Sequence, residues 1–217
     1  MGKQSRRDQT RALRQNEIIE VAARLFEKKG VENVTMDDIA REAQFTKCTL
    51  YAYFASKEDL YVAVFLESVY ERWQIQRAAM EACADGLNKL RAFGQTYYSF
   101  FANHVMYLRL MFYLDFLGID IKNTDPALFA KYRTQNEEMI NYMKDVFCQA
   151  INEGSVRKDI NIEMTISHWV YSLRAIMHRA KQKTYSFAQF DPEKYYHSFF
   201  ETLLKSISTE KTQKRKR

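Results

Sequence analysis

Thr35-Met36-Asp37-Asp38-Ile39-Ala40-Arg41-Glu42-Ala43, then Gln44-Phe45, then Thr46-Lys47-Cys48-Thr49-Leu50-Tyr51-Ala52-Tyr53-Phe54, runs on into Ala55-Ser56-Lys57-Glu58-Asp59-Leu60. Thr35 stands three residues before Asp38, the spacing of a capped helix start. Thr46 is placed to cap a second short helix, and Ser56, with Asp59 three positions on, to open a third. Met36, Ile39, Ala40 and Ala43 share one face of the first helix, and Leu50 and Phe54 share one face of the second. Helices this short do not support themselves, so these faces must pack on neighbours. Thr46, Lys47, Thr49 and Tyr53 are left pointing outward, with Tyr51 at the edge. Hydroxyls and one cation suit phosphate oxygens and base edges.

Over these twenty-six positions (35 to 60), and roughly over the first sixty residues, the chain resembles the DNA-binding signature of the tetracycline-repressor-like (TetR) family of transcription regulators. Thr35 to Ala43, Thr46-Lys47, Thr49-Leu50-Tyr51, Tyr53-Phe54 and Ser56-Lys57 carry the resemblance. Two positions depart from it. Gln44 stands where the family usually has glycine, which puts Gln44 in a left-handed conformation at some strain. Cys48 replaces a residue that is often glycine or alanine. Cys48 reads either as an oxidation sensor on the DNA face or as a small neutral packing residue, and the packing reading is preferred.

Two prolines, six glycines and helical spacing of apolar residues point to an all-α protein. At ~150 residues per domain, 217 residues suit one or two domains. The net charge of +6 is uneven: residues 1 to 14 carry +4 and residues 205 to 217 carry +5, leaving −3 for the body. The N-terminal arm reads either as a follower of the phosphate backbone or minor groove, or as a solvated leader. The basic C-terminal run reads as a disordered tail. The N-terminus lacks the apolar segment of a secretory signal, and no stretch reaches the ~20 mostly apolar residues of a membrane helix. Three widely spaced cysteines, Cys48, Cys83 and Cys148, suit a reduced cytoplasm, and no membrane partner is expected.

Along the chain the pattern predicts helices over about Gln9 to Lys29 (stopped at Gly30), Ser56 toward Cys83, Leu87 to His104 and Met106 to Leu117 (stopped near Gly118). Further helices are predicted from Pro126 to Gly154, from Ile162 onward, and from Pro192 onward. The expected domains are a three-helix helix-turn-helix DNA-binding domain at 1–60, a helical effector-binding and dimerisation domain at 61–208, and the tail at 209–217.

The second half is crowded with aromatic and methionine side chains, which read singly as core and as a set as the lining of a cavity for an apolar or aromatic small molecule. The candidates are Tyr97, Phe101, His104, Met111, Phe112, Asp115, Met143 and Phe147. Asp115, between Leu114 and Phe116, reads either as a structural ion pair with Arg109 or a lysine, or as the anchor of a cationic or hydrogen-bonding effector. Arg174 and His178 are further polar groups of this region. The histidines lack metal-ligand spacing, and no cofactor is expected. Trp169, Leu173 and Ile176, with Tyr195, Phe199 and Leu203, offer more apolar surface than one small domain hides. The resemblance implies that the last two long helices form a four-helix dimer interface, that an effector binds the C-terminal domain, and that the fourth helix links the two.

Together these readings predict a homodimeric repressor of a near-palindromic operator on double-stranded DNA, released by a small-molecule effector. Thr35, Tyr53 and Lys57 are assigned to the backbone, and Thr46, Lys47, Thr49 and Tyr51 to base edges. A DNA-binding architectural or activator protein without an effector is the alternative. An enzyme is not expected, since no phosphate loop, nucleophile elbow, metal pair or convincing carboxylate pair is visible.

Overall fold

The computed structural model describes residues 6–181 and 191–209, without the side chains of residues 115 and 179–181. The α-helices are α1 (Arg6–Lys29), α2 (Met36–Glu42), α3 (Lys47–Tyr53), α4 (Lys57–Glu81), α5 (Gly86–Asn103), α6 (Val105–Phe116), α7 (Pro126–Asn152), α8 (Ile162–Lys181) and α9 (Pro192–Ile207). The described residues of Met1–Val69 with Val105–Thr134 form one compact unit, and those of Tyr70–His104 with Gln135–Arg217 form a second. The protein is all-α, with a helix-turn-helix in the first unit and a helical second unit.

Local chemistry accounts for the helix ends. Gly30, Gly118 and Gly154 follow helix ends with positive φ, where glycine carries no Cβ penalty. Asp85 caps α5, accepting from the Asn88 N–H, and Asp191 caps α9, accepting from the Lys194 N–H ahead of Pro192. In the loop before α7 the Asp125 carboxylate accepts from the Ala127 N–H at 2.8 Å.

In the first unit α1 packs on α2, and α2 on α3. Ile18, Ala22 and Phe26 of α1 bury against Ile39 of α2, Leu50 of α3 and Leu60 of α4, and the same core takes in Leu110 and Leu114 of α6. Tyr61 ties this core to the turn after α1, donating to the Val31 carbonyl at 3.1 Å and meeting Tyr113 of α6 edge-on at 5.4 Å. In the second unit α8 and α9 pair closely and α5 packs on both. Gly94 permits that approach: a methyl there would sit 2.1 Å from the Phe200 ring, and the Gly94 carbonyl accepts from the Tyr196 hydroxyl at 2.8 Å.

One expectation shifts here. The first helix begins at Arg6 rather than Gln9, so the basic arm is helical through most of its charges. Residues 1–5, and all of the expected tail beyond Thr209, lie outside the described residues.

Candidate nucleic-acid interface

Three caps build the helix-turn-helix. The Thr35 hydroxyl oxygen accepts from the Asp38 N–H at 3.1 Å, while the Asp38 carboxylate accepts from the Thr35 N–H at 3.1 Å and from its hydroxyl at 2.7 Å. These bonds from Thr35, helped by Lys29, lower the Asp38 pKa from its ordinary 3.8 to about 2. At α3 the Thr46 hydroxyl oxygen accepts from the Thr49 N–H at 3.1 Å, and the two hydroxyls lie 2.8 Å apart. Ser56 caps α4 by accepting from the Asp59 N–H at 2.9 Å.

Gln44 makes the turn. Its φ of 57° is the one positive value at a non-glycine among the described residues, as its place in the turn predicts. The Phe45 N–H then closes back on the Ala40 carbonyl at 2.8 Å, which points α3 across α2. Met36, Ile39, Ala40, Ala43, Leu50 and Phe54 are all buried. Their burial leaves Thr46, Lys47, Cys48 and Tyr51 exposed, with Thr49 half-buried beside them.

Two side chains differ from expectation. Tyr53 is half-buried against Phe45, ring centroids 6.3 Å apart, and is covered by the Arg11 guanidinium 5.0 Å from its centroid, so Tyr51 is the more open phenol. Cys48 is exposed rather than packed: at i−2 from buried Leu50, it faces away from the core.

Sequence reading missed three contacts. Lys47 Nζ lies 2.9 Å from Asp37 Oδ1, and this partner raises the Lys47 pKa. Arg11 donates to the Ala52 carbonyl at 2.9 Å, and Arg14 sits 5.6 Å above the Phe45 ring. The Arg11–Arg14 spacing, three apart on one helix face, was the available signal that they act together. Both are fastened to the helix-turn-helix and do not trail from it. Lys57, in the first turn of α4, lies 5.1 Å above the Tyr61 ring, and Thr35 stands at the start of α2.

A short capped helix with a buried rear face and an outward row of hydroxyls, a lysine and a phenol can enter a major groove and donate to base edges and phosphates. Residues 18–64 match the family model for bacterial regulatory proteins of the tetR family. Over these residues the chain carries a TetR-family DNA-binding domain. It is therefore a DNA-binding transcription regulator and sits among regulators rather than enzymes. Similar TetR-family chains include the transcriptional repressor KstR2 of Mycolicibacterium smegmatis, 27% identical over 70% of this chain and 72% of the relative. The transcriptional activator FasR of the same organism is 27% identical over 61% of this chain and 58% of the relative. Among solved structures, KstR2 of Mycobacterium tuberculosis superposes with a TM-score of 0.62 at 21% identity, over 91% of this chain and 96% of that one. AibR, solved with isovaleryl coenzyme A and operator DNA, gives 0.63 at 17% identity, over 88% and 98%. These structural likenesses concern the fold.

The other expected residues distribute as follows. Tyr97, Phe101, Met143 and Phe147 are buried in the second unit, and His104 there closes α5 and stacks on Phe100 at 4.5 Å. Met111 is buried and Phe112 half-buried in the first unit, while the Asp115 side chain lies outside the described residues. Of the expected dimer residues, Trp169 (2% exposed) and Leu173 (0%) are spent inside the chain, Trp169 between Phe147 and Phe200. They have no surface to offer a second copy. Ile176, Tyr195, Phe199 and Leu203 are half-buried, and on α8 Met164 (57%) and Tyr171 (68%) stand exposed. No helix among the described residues is long and apolar enough to cross a membrane, and no cluster of metal-binding side chains occurs among them.

Proposed function

We propose that the protein is a homodimeric repressor of a near-palindromic operator, released by a small apolar or aromatic effector. The observation that carries this reading is α3: Leu50 and Phe54 are buried beneath it while Thr46, Lys47 and Tyr51 stand open. In this account Lys47 and Thr49 read bases together with Thr46 and Tyr51, and Thr35, Tyr53 and Lys57 hold the backbone. Lys47 must exchange Asp37 for a guanine edge on binding, so Asp37 screens the recognition helix when DNA is absent.

Dimerisation follows from the DNA chemistry, because one seven-residue helix covers too few bases for tight binding. The apolar side chains available on α8 and α9 for a two-fold seam are Met164, Tyr171, Ile176, Tyr195, Phe199 and Leu203. Effector control is supported by the packing of Leu110 and Leu114 of α6 into the helix-turn-helix core. Met111 and Phe112 lie on that same helix, so a ligand that displaces α6 reaches the DNA-binding helices through direct contacts. AibR, similar in fold, is solved in complex with isovaleryl coenzyme A and operator DNA.

The test is sedimentation of the full chain alone and with a selected operator, followed by footprinting. The reading expects a dimer protecting two half-sites about 34–36 Å apart. A monomer protecting one half-site overturns it.

A further inference from the structure

A single buried side chain seats the recognition helix on its core. Of the seven residues of α3, Leu50 alone is buried, with Phe54 buried just past the end. A helix of about two turns draws its order from tertiary contacts, and one seated at a single point tilts about that point unless its ends are fastened. At its first turn α3 is tied to α2, by Lys47 to Asp37 at 2.9 Å and by the Phe45 N–H to the Ala40 carbonyl at 2.8 Å.

The other end is tied by α1. Arg11 donates from Nη2 to the Ala52 carbonyl at 2.9 Å, a carbonyl of the last turn that the N–H groups of α3 itself do not reach. The same guanidinium lies 5.0 Å from the ring centroid of Tyr53, the last residue of α3. One turn further along α1, Arg14 lies 5.6 Å from the ring of Phe45, just ahead of α3, and the Phe45 and Tyr53 rings tilt together at 6.3 Å. Helix α1 thus holds the recognition helix from both ends, with one guanidinium on each ring of the pair. The turns that carry these arginines, Arg6 to Glu17, contribute no buried residue to the core, whose first member on α1 is Ile18.

We propose that Arg11 is a positioning residue for sequence reading: it fixes the tilt of α3 from its C-terminal end, so that Lys47, Thr49 and Tyr51 meet base edges, and it acts through Ala52 and Tyr53 rather than as a phosphate contact. This rests on the reading of α3 as the helix that reads bases. In that reading Lys47 gives up Asp37 at the DNA, so the tie from α1 is the one that outlasts binding. Base-edge hydrogen bonds require a set distance and angle, whereas phosphate contacts carry no sequence information. A loosened tilt therefore costs preference for the operator more than affinity for DNA at large.

The test uses the full-length protein, the duplex it selects from a random pool, and a scrambled duplex of equal length. Anisotropy titrations across a salt series compare wild type with Arg11→Met, Arg11→Lys and Arg7→Met. Arg7, exposed one turn earlier on α1, is the charge control. Arg11→Met should lower the preference for selected over scrambled duplex by about three- to tenfold, the worth of one hydrogen bond. Its affinity for the scrambled duplex should stay within about twofold of wild type, with the salt slope unchanged. Lys, which still donates to a carbonyl, should recover part of the preference, and Arg7→Met should leave it intact. Equal weakening on both duplexes with a slope shallower by about one would make Arg11 a phosphate contact and overturn the proposal. Wild-type preference in Arg11→Met, even with a lowered melting temperature, overturns it by reducing Arg11 to a packing contact. An equal loss of preference in Arg7→Met overturns it by assigning the effect to charge. If wild type selects no motif, the base-reading role of α3 fails and this proposal with it, whereas a motif kept by both wild type and Arg11→Met sinks this proposal alone.

Discussion

Gln44→Gly is expected to stabilise the DNA-binding unit, against the usual direction for introducing glycine. Gln44 sits at φ 57°, where an L residue costs ~1–2 kcal/mol because its Cβ crowds the carbonyl. Glycine removes that strain but adds ~0.5–1 kcal/mol of unfolded-chain entropy. The Gln44 side chain is exposed, and the turn is held by backbone bonds, Gln44 N–H to the Arg41 carbonyl at 3.2 Å and Phe45 N–H to the Ala40 carbonyl at 2.8 Å. Glycine keeps both. The net gain is about 0.5–1 kcal/mol, a rise in melting temperature of roughly 1–4 °C for a chain of this size. Thermal melts followed by circular dichroism, with chemical denaturation beside them, should rank Gly first, Asn next, and Gln and Ala last. If Gly melts at or below Gln44, the turn is not strained at that position and the account of α2 and α3 is wrong.

Asp37→Asn should free Lys47 and remove a negative charge from the DNA-facing side, raising DNA affinity by up to about fivefold. Anisotropy titrations at two salt concentrations check this, and weaker binding would mean that Asp37 holds Lys47 in its reading position. Gly94→Ala should destabilise the second unit by about 1–3 kcal/mol or more, because the new methyl meets the Phe200 ring. An unchanged denaturation midpoint would contradict the α5–α9 packing. Asp38 gives a pH signature: its folded pKa is depressed, so the capping box stabilises α2 fully above about pH 4, and that contribution fades as the pH falls through about 2. Asp38→Asn should flatten the acid limb of the stability profile, and an unaltered limb would remove the box from the stability account.

The helices were legible because their ends are written in local chemistry. Thr35, Thr46, Ser56, Asp191 with Pro192, and the glycines at 30, 118 and 154 each act within four residues of where they stand. The inward faces of α2 and α3 followed from spacing alone. What escaped was set by distance along the chain. Nothing near Lys47 announces Asp37, and nothing near Tyr53 announces Arg11, forty-two residues earlier. Burial also divides residues that sequence cannot tell apart. Trp169 and Tyr171 are both aromatic and stand two apart on α8, yet one is core and the other open surface.

The central claim is that α3 reads sequence, and selection of bound duplexes from a random pool tests it directly, with wild type and Lys47→Ala compared at two salt concentrations. The account predicts an inverted-repeat motif for wild type and loss of preference at one guanine per half-site in the variant, a discrimination of about 1–3 kcal/mol. Weak binding with no motif, falling steeply with salt and unchanged by Lys47→Ala, would contradict it and assign DNA affinity to the basic ends alone.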